Sequence, residues 1–164
     1  MKYDELRVML KESGKGYDME MIEKAYLLAE KNHNGQFRKT GEPYIEHPLS
    51  VAAILAELGM DSTSIVAAIL HDVVEDTAVT LEEIEKEFND EVALLVDGVT
   101  KLGQIPLSTQ EEQQAENLRK MLLAMSKDIR VMIIKLCDRL HNMRTYEGWK
   151  PQKQRDKALE TMDI

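Results

Sequence analysis

Apolar residues recur at helical spacing along almost the whole chain, and alternating strand patterns are nearly absent. A first short helix near residues 3–12 presents Leu6, Met9 and Leu10. A second opens after "GKGYD", where Asp18 suits the N-cap, and aligns Ile22, Ala25, Tyr26 and Ala29, with His33 one turn further. "NGQFRKTGEPYIEHP" holds two Gly and two Pro and reads as a loop. Pro48 fits the first turn of the following helix, whose inward stripe is Val51, Ile54, Leu55 and Leu58. Gly59 ends it, and Asp61 or Ser62 caps "STSIVAAILHDVVED", which is apolar on almost all sides and so should be buried.

Past this central helix, "TLEE" predicts a capping box between Thr80 and Glu83, with Leu81, Ile84 and Phe88 facing inward. Another helix starts near Asp90 and runs through Val92, Leu95, Val96 and Val99. "TKLGQIPLSTQ" is a second irregular stretch, and "EEQQAENLRKMLLAMS" resumes the helical period with Leu118, Met121, Leu122 and Met125. The long segment "KDIRVMIIKLCDRLHNMRTYEG" follows, and Pro151 opens a last helix. The pattern implies an all-α domain without repeats or linkers. "RDKALETMDI" stops in mid-pattern, so the chain is expected to be a domain cut from the N-terminal part of something longer.

Composition narrows the class. A chain of 164 residues makes about one domain and can bury a core without disulfide staples. The single cysteine, Cys137, excludes an internal disulfide framework and reads as a small buried apolar residue, which suits the cytoplasm. No apolar run reaches membrane-spanning length, and the N-terminus lacks a signal-peptide core. A net charge of −9 disfavours nucleic-acid binding, which relies on clustered Lys and Arg. A phosphate substrate would therefore need a local cation to overcome the field.

The central helix ends in "HDVVED", where His71 and Glu75, and Asp72 and Asp76, are four residues apart. Buried carboxylates cost several kcal/mol each unless something positive sits among them. No Lys or Arg occurs between Asp61 and Lys86, so a divalent ion is the natural compensation, although a lone His-Asp pair more often marks a solvated helix end. The second long helix adds weight: Asp138 continues the face of Val131 and Ile134, and Asn142 and Thr145 extend it, as in a pocket floor. Arg139 and Arg144 would flank it, and His141 is read as a hydrogen-bonded structural histidine. With His47 at the end of the first loop, these residues offer imidazole nitrogens and carboxylate oxygens, a set that binds a divalent ion and leaves room for water and substrate. His33 sits better in the core or behind the ligands.

Five blocks, "GQFRKTGEPYIEHP", "AAILHDVVEDT", "LVDGVTKL", "EEQQAENLRKMLLAM" and "DIRVMIIKLCDRLHNMRT", occur in the order found in the hydrolase domain of RelA/SpoT-type alarmone enzymes. The chain resembles that branch of the HD-domain phosphohydrolases over nearly its whole length. The resemblance implies an HD-domain bundle of about eight to ten helices over 1–164, with the metal site on the central helices and a synthetase domain following. It implies that His47, His71, Asp72 and Asp138 bind one divalent ion, usually manganese in the family, and that Glu75 and Asp76 handle the attacking water. Arg38 and Lys39 match the base-recognition segment, and Asn142 and Thr145 match the nucleotide pocket. The implied reaction removes the 3′-pyrophosphate from (p)ppGpp, the guanine nucleotide alarmone. Two alternatives stand beside it: a related phosphohydrolase acting on NADPH or a deoxynucleotide, and a non-catalytic module that senses alarmone for its C-terminal partner.

Overall fold

The computed structural model describes residues 1–103, 115–120, 122–123 and 128–145. Seven helices have full bounds: α1 Tyr3–Glu12, α2 Met19–Asn32, α3 Glu46–Glu57, α4 Ser62–Asp76, α5 Leu81–Glu87, α6 Asp90–Gly103 and α7 Arg130–Arg144. Backbone at 115–120 is also helical, giving eight helical segments among the described residues and no strand beyond one isolated bridge. The expected all-α bundle is therefore present. Helix α6 runs on through Thr100–Gly103, so the start of the stretch expected to be irregular is helical; its remainder, 104–110, and the helix expected from Pro151 lie outside the described residues.

The caps follow the sequence. Asp18 accepts from the Met21 N–H at 3.1 Å, Asp61 from Ser64 at 2.9 Å and Thr80 from Glu83 at 3.2 Å, each satisfying a donor that the helix leaves free. Asp61, not Ser62, thus caps α4. Gly59, at φ 77°, closes α3 in a left-handed conformation that side-chain-bearing residues seldom adopt.

Helix α4 is the axis of the fold and packs against α2, α3, α6 and α7. Every residue from Ser64 to Val73 is buried, so the all-round apolar pattern carries His71 and Asp72 into the interior. Glu75 and Asp76, one turn on, emerge at the surface. Helix α7 reaches α3 and α6 along Val131 and Ile134, both buried. At Gly98 the approach is so close that a Cβ would lie 2.7 Å from Val131 Cγ2. Arg130 fixes the start of α7: it pairs with Asp61, Glu91 and Asp128 at 2.7, 2.8 and 2.6 Å, joining the N-terminal ends of α4 and α6.

One expectation from the apolar pattern needs correction. Leu58 is 62% exposed, because α3 stops at Glu57 and the chain turns away there. Leu118 and Leu122, at helical spacing, are exposed. Cys137 is buried as expected, and burial, followed by the charge of Asp138, pushes its thiol up.

Candidate active site

The site lies where α3, α4 and α7 meet beneath the 36–44 loop. That loop is a tight hairpin: Tyr44 N–H donates to Gln36 O, Arg38 N–H to Glu42 O and Gly41 N–H to Arg38 O, each at 2.9 Å. Gly41 permits the reversal with φ 101°. The hairpin turns Arg38 and Tyr44 towards the helices and delivers the chain to His47 in the first turn of α3.

At the inner end, ligand atoms of His47, Asp72 and Asp138 lie within 4.8 Å of one another, all three side chains buried. His47 Nε2 is 2.6 Å from Asp138 Oδ1. His71 Nε2 lies 3.1 Å from Asp72 Oδ1 and 3.5 Å from Asp138 Oδ1. Its Nδ1 is 2.7 Å from the Ala68 carbonyl, which has no proton to give, so Nδ1–H donates and Nε2 is left facing the carboxylates. All four expected ligands therefore converge.

Charge within this cluster is tightly bound. Burial works against a charged His71, but Asp72 and Asp138 outweigh it and hold the imidazole well above its usual range. Burial likewise pushes Asp72 up, yet the charge and hydrogen bond of His71 bring it down to about 2. Without an ion, the two carboxylates thus favour a proton on His71 between them. A divalent ion fits the same position and chemistry: two imidazole nitrogens and two carboxylate oxygens are a mixed donor set for such a metal, and the His71 proton would leave when it binds.

A cavity of about 460 Å³ opens from this cluster. The described residues lining it include Arg38, Lys39, Tyr44, His47, Asp72, Glu75, Asp76, Lys135, Asp138, Asn142 and Thr145. Glu75 is pushed up to about 7, first by burial and then by the Asp72 charge. Asp76 is raised for the same two reasons. Opposite them, Arg38 donates to Asn142 Oδ1 at 2.9 Å and Thr145 Oγ1 at 3.0 Å, its side chain only 9% exposed. Arg38 thus forms one prebuilt unit with two residues more than a hundred positions away, while Lys39 stays exposed at the rim.

Further residues support the site, and Tyr44 among them carries no sequence signal of its own. Tyr44 donates its hydroxyl to Asp72 Oδ2 at 2.8 Å and packs its ring against His33 and His47. Lys135 places Nζ 3.5 Å from Asp138 Oδ2; its spacing of three from Asp138 on one helix would have pointed to it. His141 contacts His47, Nδ1 to Nδ1 at 2.6 Å, and burial, then His47 and Arg38, lowers it to about 4. His33 is buried, its Nδ1 2.9 Å from Gln36 Oε1, as expected of a supporting histidine. The expected flanking role of Arg139 and Arg144 does not hold: Arg139 is buried, Arg144 is exposed, and neither is among the described residues lining the cavity.

Residues 25–164 match the HD domain family. Among curated proteins, the chain is 55% identical over 150 residues to a GTP pyrophosphokinase of Myxococcus xanthus, covering 90% of this chain and 20% of that protein. It is 52% identical over 138 residues to a guanosine-3′,5′-bis(diphosphate) 3′-pyrophosphohydrolase of Haemophilus influenzae, covering 84% and 20%. It is 51% identical over 143 residues to the bifunctional (p)ppGpp synthase/hydrolase SpoT of Escherichia coli, covering 87% and 20%. The chain thus spans about a fifth of the length of these relatives. A solved structure of a metazoan ortholog of SpoT, described as hydrolysing ppGpp, superposes with a TM-score of 0.71 at 29% identity, covering 88% of this chain and 83% of that one. The chain belongs to the HD-domain family, and its relatives there are the SpoT/RelA proteins.

Proposed function

We propose that this chain is the hydrolase domain of a longer cytoplasmic enzyme that removes the 3′-pyrophosphate of (p)ppGpp, with synthetase and regulatory domains after it and no nucleic-acid or membrane partner. The observation that carries this reading is the convergence of His47, His71, Asp72 and Asp138 at the inner end of a cavity, with Glu75 and Asp76 beside them and the Arg38–Asn142–Thr145 unit opposite.

His47, His71, Asp72 and Asp138 would hold one divalent ion, proposed to be manganese. When bound, it would lower the pKa of water and offset charge on the phosphoryl oxygens. Glu75, one turn from His71 and lining the cavity, accepts the proton of the attacking water, and Asp76 orients that water. The water oxygen bonds to the phosphorus attached to the ribose 3′ oxygen. The bond from that oxygen to phosphorus breaks, and the 3′ oxygen leaves as a hydroxyl after taking up a proton. Pyrophosphate departs, leaving GDP or GTP. Arg38 presents a planar guanidinium to the guanine, Lys39 supplies a hydrogen-bonding cation at the rim, and Asn142 and Thr145 both fix Arg38 and line the nucleotide's seat.

The test is to incubate manganese-loaded protein in parallel with guanosine tetraphosphate, NADPH and a deoxynucleoside triphosphate, separating products by anion exchange. GDP and pyrophosphate from the first, with the others untouched, support the assignment. Turnover of NADPH or the deoxynucleotide in preference to the alarmone, or of none of them, would contradict it.

A further inference from the structure

The chemistry above does not use the contact between His47 and His141. His47 is 2% exposed and engages both ring nitrogens: Nε2 faces Asp138 Oδ1, and Nδ1 faces His141 Nδ1, each at 2.6 Å. The two rings lie 4.8 Å apart at a 33° tilt, brought together by the packing of α3 on α7. Two ring nitrogens this close need one proton between them, because two bare lone pairs or two N–H groups would repel. Its direction follows from the other nitrogen of His47. If Nε2 gives its lone pair to an ion, a neutral ring carries its proton on Nδ1, and His141 must be the acceptor.

We propose that His141 is the positioning residue of His47: by accepting a hydrogen bond from His47 Nδ1–H, it fixes the tautomer and ring plane that aim Nε2 at the ion. This rests on the metal-site reading. His141 is not itself a ligand, since its Nδ1 is held at the nitrogen of His47 turned away from Asp138. An imidazole in this place also differs from a fixed acceptor such as a carbonyl. Without metal, His47 Nε2–H can donate to Asp138, and His141 Nδ1–H can donate back to His47. With metal the proton between the rings reverses, and His47 changes tautomer without losing the bond. A carbonyl oxygen supports only one of these states.

The experiment titrates manganese into chelator-stripped parent, His141→Leu and His141→Asn by calorimetry. It then records long-range 1H–15N spectra of 15N-histidine-labelled, zinc-loaded parent. Leu, which cannot accept, should weaken metal binding by about 10–100-fold. Asn, whose side-chain oxygen can stand near the position of Nδ1, should restore most of the affinity. The spectra should place the His47 proton on Nδ1, with Nε2 bare and shifted by the metal. A Leu variant that binds as tightly as the parent overturns the proposal, as does a His47 that binds metal through Nδ1. If the Leu variant does not fold, the parent spectra decide alone. A parent that takes up no metal overturns the metal-site reading and this inference with it, an outcome distinct from equal affinities.

Discussion

Replacing Tyr44 with Phe tests whether the site is assembled before any ion arrives. The substitution removes one hydroxyl and keeps a ring that packs 4.9 Å from His33 and 6.0 Å from His47, centroid to centroid. What is lost is the 2.8 Å bond to Asp72 Oδ2. Burial, reinforced by Asp72, holds the phenol far above its usual range, so it is a neutral donor at any ordinary pH. A bond to a charged acceptor contributes about 1.5–3 kcal/mol. Water entering the open cavity replaces part of it, which favours the lower end, about 1.5 kcal/mol. For a domain of this size that lowers the melting temperature of stripped protein by about 3–6 °C. Asp72 loses the group that orients its second oxygen, so manganese affinity by calorimetry should fall about 10–100-fold. Tyr44→Phe protein that melts with the parent and binds manganese equally well would refute this reasoning.

Other outcomes follow from the same geometry. Gly98→Ala gains up to about 1 kcal/mol of helix propensity but drives a Cβ into Val131, an overpacking cost of about 1–3 kcal/mol; adding Val131→Ala should relieve the clash, as a double-mutant cycle in urea would show. Stripped protein should be most stable in mildly acidic solution. His71, raised in the fold, contributes fully below the usual imidazole pKa of about 6.5 and loses that contribution as pH rises through its folded value. Asp72, lowered to about 2, contributes above its usual value and loses that as pH falls through about 2. Melting curves across pH with a chelator present check both limbs. Arg38→Ala should raise KM for the alarmone while leaving metal uptake unchanged, since Arg38 bonds to Asn142 and Thr145, not to the ligand cluster. Initial rates paired with calorimetry separate the two effects.

The sequence makes visible what depends on periodicity and local caps. Asp18, Asp61 and Thr80 announce their helices, and the unbroken apolar run before His71 announces a buried axis. The candidate metal residues were legible in part, because His71 and Asp72 are adjacent and Asp138 continues an apolar stripe. Contacts made across the fold were not. Tyr44 meets Asp72 over 28 positions and His141 meets His47 over 94, and no local pattern encodes which side chains then face each other. Arg38 read alone is a solvated loop cation; only the hairpin closed at Gly41 brings it to Asn142 and Thr145, more than a hundred residues away. Leu58 misleads in the other direction, because its spacing fits the stripe while the helix has already ended.

In the proposed hydrolase a buried metal cluster and a separate pair of water-handling carboxylates act together. The most direct test is pyrophosphate release from guanosine tetraphosphate with added manganese, comparing the parent with Asp72→Ala and Glu75→Gln and measuring the metal content of each. Release by the parent, loss in Asp72→Ala together with its metal, and loss in Glu75→Gln with its metal retained are the results this account predicts. A metal-loaded parent that releases no pyrophosphate, or a Glu75→Gln variant that works at the parent's rate, would contradict it.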